Sequence, residues 1–201
     1  MDKIVLASNN PGKIIEFQHI FAELNIEIVP QSALNIPEVD EPYHTFVENS
    51  LHKARHCAKY SNLPTLADDS GLCVDSLNGA PGVYSARYAG EPKSDARNNQ
   101  QLIKDLVNCS DRHAYFYCVL VLLRHADDPQ PLIADGFIHG QIIDTARGSN
   151  GFGYNPHFYL PRFKKTVAEL DNSEKNQISH RRMAINSLLT KLKEIENATC
   201  K

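Results

Sequence analysis

Apolar positions along this chain follow two alternating rhythms. Residues 3–7, apolar from Ile4 onward, read as a buried strand, and residues 13–24 then place Ile14, Phe17, Phe21 and Leu24 at helical spacing. A short strand is expected at 27–29. Residues 35–44 carry Pro37, Pro42 and the acidic run Glu38, Asp40 and Glu41, which suits a loop. Thr45 followed three positions on by Glu48 is a capping-box pattern, and it predicts a helix running to about Tyr60. The apolar run at 64–67 reads as a strand that delivers Asp68, Asp69 and Ser70, with Gly71 opening a turn. A second strand is expected at 72–77, and 78–82 must turn.

The second half continues in the same manner. Residues 95–107 have helical character with Ser94 as N-cap. Residues 114–124 are a β-branched and aromatic strand, and 132–143 read as further strand interrupted at Gly140. A glycine-rich loop spans 148–156. The last helix runs from about Ser179 to Ile195, with Ile185, Leu188, Leu189 and Leu192 turned to a core. Such an alternation predicts a mixed α/β protein with one sheet system, without internal repeats or a linker.

Composition narrows the function classes. The 201 residues are 42% hydrophobic and 22% charged, ordinary values for a globular protein. A net charge of −3 argues against a general surface for nucleic-acid polymers, while leaving room for a local basic pocket. Five scattered cysteines (Cys57, Cys73, Cys109, Cys118 and Cys200), with no CxxC pair, suit reduced thiols in a cytoplasm. The longest apolar run, 118–123, is far too short to cross a bilayer, and the N-terminus has no signal-peptide pattern, so a cytosolic protein is expected.

The candidate chemistry gathers at a few stretches. Ser8-Asn9-Asn10-Pro11-Gly12-Lys13 joins the first strand to the first helix, where backbone N–H groups and the helix dipole favour a phosphate. It is not a Walker A loop, because Ala7 and Ile14 stand at defining positions. A helix-initiating loop with a solvated lysine is the alternative. Asn49 and Lys53 lie four apart and share a helix face, which is either solvated or turned to the acidic pair. Asp68 and Asp69 repel one another and lose hydration if buried, so they call for a cation or a base unless they form a surface turn. The sequence lacks the D-x-D-x-[TV] and EF-hand patterns; a magnesium site beside a phosphate seat fits better. Gly151 to Pro156 couples glycines, which permit close backbone approach, to aromatics that can stack on a base. Lys175 and Ser179-His180-Arg181-Arg182 bring cations to the start of the last helix, where they do not favour the helix and so suggest a ligand.

Taken together, SNNPGK at 8–13, TFVENSLHKA at 45–54, ADDSGLCVDSLNGAPGVYSARYAG at 67–90, GFGYNPHF at 151–158, TVAEL at 166–170 and KNQISHRRMA at 175–184 resemble the inosine triphosphate pyrophosphatase family over nearly the whole chain. The resemblance implies one domain over 1–201, with a mixed elongated central sheet flanked by helices and two lobes with the site in a cleft between them. It implies Mg2+-dependent hydrolysis of ITP, dITP or XTP to the monophosphate and pyrophosphate, in a cytoplasmic homodimer. On the matching positions, Ser8, Asn9, Asn10, Pro11, Gly12 and Lys13 would meet the triphosphate, with Lys53 sharing its charge. Asp69 would be the proton acceptor and a metal ligand, and Asp68 would support the magnesium. The second metal carboxylate would be Asp40, with Glu41 as competitor. Ser70 would touch the substrate, and Phe152, Gly153, Tyr154, Asn155, Lys175, His180 and Arg181 would form the base and sugar pocket. Donors on His180 or Arg181 suit a purine 6-keto oxygen and mismatch adenine's amino group. Asn155 stands where the family usually has Asp, and Asp40 where it often has Glu. A Maf-type nucleotide pyrophosphatase and a non-catalytic nucleotide-binding protein are the rival readings.

Overall fold

The computed structural model describes residues 2–199. Seven strands form a sheet in the order β2-β1-β3-β4-β5-β6-β7. The strands are β1 (Lys3–Leu6), β2 (Glu27–Pro30), β3 (Thr65–Val74), β4 (His113–Leu123), β5 (Leu132–Ile142), β6 (Phe158–Leu160) and β7 (Lys165–Thr166). β1 pairs in parallel with β2 and β3, whereas β6 is antiparallel to β5 and β7. The helices are α1 (Pro11–Ala22), α2 (Phe46–Ser61), α3 (Asp95–Asp105), α4 (Asn172–Ile178) and α5 (His180–Thr199). The sheet is mixed and helix-flanked, as expected. None of the described helices is long and apolar enough to cross a membrane.

The chain divides into two compact units, 2–69 with 118–136 and 184–199, and 70–117 with 137–183. Each has its own apolar core. In the first, Phe17, Ile20 and Phe21 of α1 and Ala184, Ile185 and Leu188 of α5 pack with Ile4, Leu6, Leu66, Leu120 and Leu122. Phe17 and Phe21 are fully buried, each contributing about 2–3 kcal/mol of apolar transfer. In the second, Leu102 of α3 and Leu106 just after it pack with Leu72, Val74, Phe158, Leu160 and Tyr154.

Local chemistry explains most boundaries. Asn10 caps α1 by accepting from the Lys13 N–H, with Pro11 at the first helical position, so the helix begins at Pro11 and not at Lys13. Thr45 caps α2 through the Glu48 N–H, and Ser94 caps α3 through the Arg97 N–H. Ser179 accepts from the Arg182 N–H at 3.0 Å, capping α5.

Several expectations are corrected. The Asp68-Asp69-Ser70-Gly71 stretch is no turn: β3 runs through it unbroken for ten residues, and nine of them are buried. Residues 75–77, expected to continue a strand, form a short 3-10 helix. Lys175 belongs to the short helix α4, capped by Asp171 and Glu174, and lies in its last turn, where a cation suits the dipole. β5 passes through Gly140 without interruption. That glycine answers a close approach: a β-carbon there would lie 2.5 Å from the Phe158 ring and 2.6 Å from the Tyr159 carbonyl oxygen. Gly140→Ala should therefore cost about 3 kcal/mol, since backbone cannot yield as a side chain does. Chemical denaturation checks this, and a cost below about 1 kcal/mol would mean that β6 shifts freely.

Candidate active site

β1 ends at Leu6, while β3 continues eight residues beyond the Leu66 that pairs with it. Asp68 and Asp69 thus stand just past the carboxyl end of a parallel strand, the position where open α/β sheets bind ligands. Alternation along β3 sends the two carboxylates to opposite faces. Asp68 points to the face of Leu66 and α1, where Lys13 Nζ lies 2.8 Å from its Oδ2. Asp69 points the other way, and its Oδ2 accepts from Asn49 Nδ2 of α2 at 3.2 Å.

Lys53, one turn after Asn49, joins the two sides. Its ammonium donates to the Glu41 carboxylate and, at 2.7 Å, to the Asp68 carbonyl. Asn49, 1% exposed, also holds both the N–H and the carbonyl of Tyr43, which fastens the acidic loop to α2. Asn9 Nδ2 donates to Glu38 at 2.8 Å, tying the SNNPGK segment to the same loop. Asn10 spends its side chain on the α1 cap, and Pro11 has no N–H, so this helix end offers fewer backbone donors than its sequence suggests.

The result is a buried cluster of three carboxylates, Asp68, Asp69 and Glu41, facing two ammonium groups, Lys13 and Lys53. Burial pushes the Asp69 carboxyl up to about 6; Glu41 and Asp68 push the same way, against Lys53 and Lys13. Burial pulls the Lys53 ammonium down, but Asp69, Glu41 and Asp68 outweigh it and raise its pKa overall. Neighbouring carboxylates with hard oxygen donors fit a divalent cation. Among the described residues no three His, Cys, Asp or Glu side chains are arranged to hold a metal by themselves. Asp40 is exposed, whereas Glu41 is half-buried and acts on Asp69.

In the second unit the glycine-rich loop is built on its surroundings. Gly148, Gly151 and Gly153 all have positive φ, and a β-carbon on Gly151 would fall 2.2 Å from the Asn155 amide nitrogen. Asn150 N–H donates to the Ala168 carbonyl and Ala168 N–H to the Asn155 carbonyl, so the TVAEL turn supports the loop from one side. Tyr154 is 4% exposed and packs into the core with its hydroxyl on the Ser85 carbonyl, whereas Phe152 stays 48% exposed. Lys175 Nζ sits 5.2 Å from the centre of the Phe152 ring. At the start of α5, the His180 ring stacks on Phe116 at 5.3 Å, and Arg181, 4% exposed, directs Nη2 to Ser70 Oγ at 3.4 Å. Ser70 follows Asp69 directly, so the two groups of residues are covalent neighbours along β3.

The expected residues thus fall into two groups. Lys13, Lys53, Asp68 and Asp69 come together with Asn9 and Asn10 nearby in the chain; in the other unit Phe152, Asn155 and Lys175 lie together, and Arg181 meets Ser70. Asn49 holds Asp69, a role its spacing to Lys53 foreshadowed. Asp95 and Asn99 of α3 escaped sequence reasoning because nothing local marks a helix face that serves a loop more than fifty residues away.

The central strand β3 thus carries two buried carboxylates, Asp68 facing Lys13 and Asp69 facing Asn49. A family model described as the Ham1 family matches residues 4–191. Over 194 residues the chain is 58% identical to a dITP/XTP pyrophosphatase of Chromobacterium violaceum, covering 96% of this chain and 98% of that protein. It is 60% identical over 190 residues to a dITP/XTP pyrophosphatase of Aromatoleum aromaticum, covering 94% and 96%. The solved structure of a HAM1 protein from Coxiella burnetii matches with a TM-score of 0.91 and 48% identity, over 96% of this chain and all of that one. The chain belongs to the Ham1 family.

Proposed function

We propose that this protein hydrolyses deaminated purine nucleoside triphosphates, ITP, dITP and XTP, to the monophosphate and pyrophosphate. Relatives of this identity and coverage carry the name dITP/XTP pyrophosphatase. The observation that carries the chemistry is the buried Asp69 carboxylate, raised to about 6 by burial, held by Asn49 and acted on by the charges of Lys53 and Lys13. A carboxylate at that place is suited to take a proton from water attacking the α-phosphorus. Lys13 and Lys53 offset charge on the phosphoryl oxygens and on the leaving pyrophosphate. Asp69 with Glu41 are the residues to hold Mg2+; Glu41 is favoured over Asp40 by its burial and its contact with Lys53. Bound there, the ion supplies Lewis-acid polarisation and charge neutralisation.

For the base, Phe152 offers a half-exposed ring for stacking, and Arg181 and His180 bring donors suited to a 6-keto oxygen. Asn155 keeps an acceptor oxygen where the related motif usually has a carboxylate, and adds an amide donor. The working state we assign is a cytoplasmic homodimer, for which light scattering is the test. Cys57, Cys73, Cys109 and Cys118, none of them in a disulfide, accord with a reducing compartment, and Cys200 lies outside the described residues.

Pyrophosphate release from ITP, XTP, dITP, ATP, GTP and dTTP, with and without Mg2+, tests the reading. Turnover of the inosine and xanthosine nucleotides only with Mg2+ is expected. Equal rates on ATP would overturn the base selectivity. A preference for dTTP would favour the Maf-type reading, and nucleotide binding without turnover would make this a binding protein.

A further inference from the structure

Asp95, Asn98 and Asn99 are spaced i, i+3 and i+4 along α3 and so share one face. All three commit polar atoms to loops. Asp95 Oδ2 accepts from the Gly153 N–H at 2.7 Å, and Asn99 Nδ2 donates to the Gly153 carbonyl at 2.9 Å. Asn99 is itself set by a bond to the Asp95 carbonyl at 2.9 Å. One glycine is therefore held at both its N–H and its C=O by two side chains a single turn apart. Its φ is +64° and a β-carbon would meet nothing within 4 Å, so glycine is needed here for conformation and not for space.

The neighbouring residue is fixed from the same helix. Asn98, 2% exposed, accepts from the Ala89 N–H at 2.8 Å and donates to the Ser85 and Ala86 carbonyls. Tyr154 donates its hydroxyl to that same Ser85 carbonyl at 2.8 Å. Phe152, immediately before the clamped glycine, is the half-exposed ring beside Lys175, and Asn155, two residues after it, tucks its amide against Gly151.

We propose that Asp95 and Asn99 are positioning residues for the purine base: by gripping both polar groups of Gly153, they set the Phe152 ring and the Asn155 amide in place before substrate arrives. This rests on the base-pocket reading given above. A loop with three left-handed glycines has much backbone freedom, and freezing it on binding would weaken affinity. A clamp that pre-orders the loop helps the ground state and the transition state alike, so its loss raises KM and spares kcat.

The test compares Asp95→Ala, Asp95→Asn and Asn99→Asp in ITP hydrolysis, with inorganic tripolyphosphate as a competitor that lacks a base. Asp95→Ala removes the acceptor and Asn99→Asp replaces the donor by a repelling oxygen. Each should raise KM for ITP about five- to tenfold, one lost charge-assisted or buried hydrogen bond, with kcat within about twofold. Asp95→Asn keeps an acceptor oxygen and should restore most of the affinity. The inhibition constant of tripolyphosphate should stay constant throughout, a pattern that general loosening of the fold would not give. Unchanged KM in both Asp95→Ala and Asn99→Asp, or KM and the tripolyphosphate constant rising together, overturns the proposal. Amide exchange at Gly153, slow in the wild type and fast in Asp95→Ala, reads the clamp without substrate. If the wild type fails to turn over ITP, the functional reading falls, and rapid exchange at Gly153 in the wild type would remove the clamp as well.

Discussion

Asp69→Asn should abolish turnover while making the metal-free protein harder to unfold. The carboxyl is 6% exposed, and its pKa rises to about 6 in the folded chain, against an ordinary carboxylate value near 4 when unfolded. Below pH ~4 the group is neutral in both states and costs nothing. As pH climbs towards 6 the unfolded chain has released its proton and the folded chain has not, so stability falls, levelling off above 6. A gap of about two pKa units corresponds to roughly 2–3 kcal/mol at pH 8, and Asn removes that penalty. In EDTA, the variant should melt about 4–8 °C above the wild type at pH 8, with the difference vanishing near pH 4. Its pyrophosphatase rate should drop by about a thousandfold, from loss of the base. A variant that hydrolyses ITP normally would dismiss Asp69 as the base, and one that melts lower at pH 8 would dismiss the uncompensated-charge argument. In the wild type, kcat/KM should decline as pH is lowered through the protonation of Asp69.

Lys53→Met should be severely destabilising, for the opposite reason. Its ammonium touches the Glu41 carboxylate and the Asp68 carbonyl, and its charge acts on Asp69 and Asp68. Without it, Asp68, Asp69 and Glu41 lose one of the cations that act on them. Taking one partner from a buried ionic cluster costs about 3–5 kcal/mol, since the remaining charge is left uncompensated. That corresponds to a fall of roughly 10 °C in melting temperature at pH 8. Lowering the pH towards 5 should shrink the loss, because Asp69 is then largely protonated. A deficit independent of pH would mean that the lysine stem, and not its charge, supports α2. Lys53→Arg separates the two further, keeping the charge but replacing a point ammonium with a broad planar fork.

The order of elements was legible because their signals are local. The apolar run of β1, the Thr45 cap of α2, the Ser94 cap of α3 and the apolar stripe of α5 each depend on spacings of two to four residues. The motifs SNNPGK, ADDSG and GFGYNP were legible for the same reason, since each keeps its residues within a few positions. What misled was residue type divorced from partners. Asp, Ser and Gly in succession resemble a turn, yet Lys13, Asn49 and Ser85 supply the neighbours that let β3 run straight through.

By itself, the sequence determined an α/β chain and the places along it of the acidic pair, the lysines and the glycine-rich loop. Only the tertiary structure gave the two aspartates their separate partners: β-alternation turns Asp68 to Lys13 and Asp69 to Asn49. It alone separated Glu41 from Asp40, because adjacent loop residues point in different directions and packing against α2 selects which one is half-buried beside Lys53. It alone revealed that α3 grips Gly153, for a hydrogen bond between residues 58 apart in sequence leaves no periodic trace. Charges and caps act over a few residues and are written into local order; the choice of partner across the fold is made by packing.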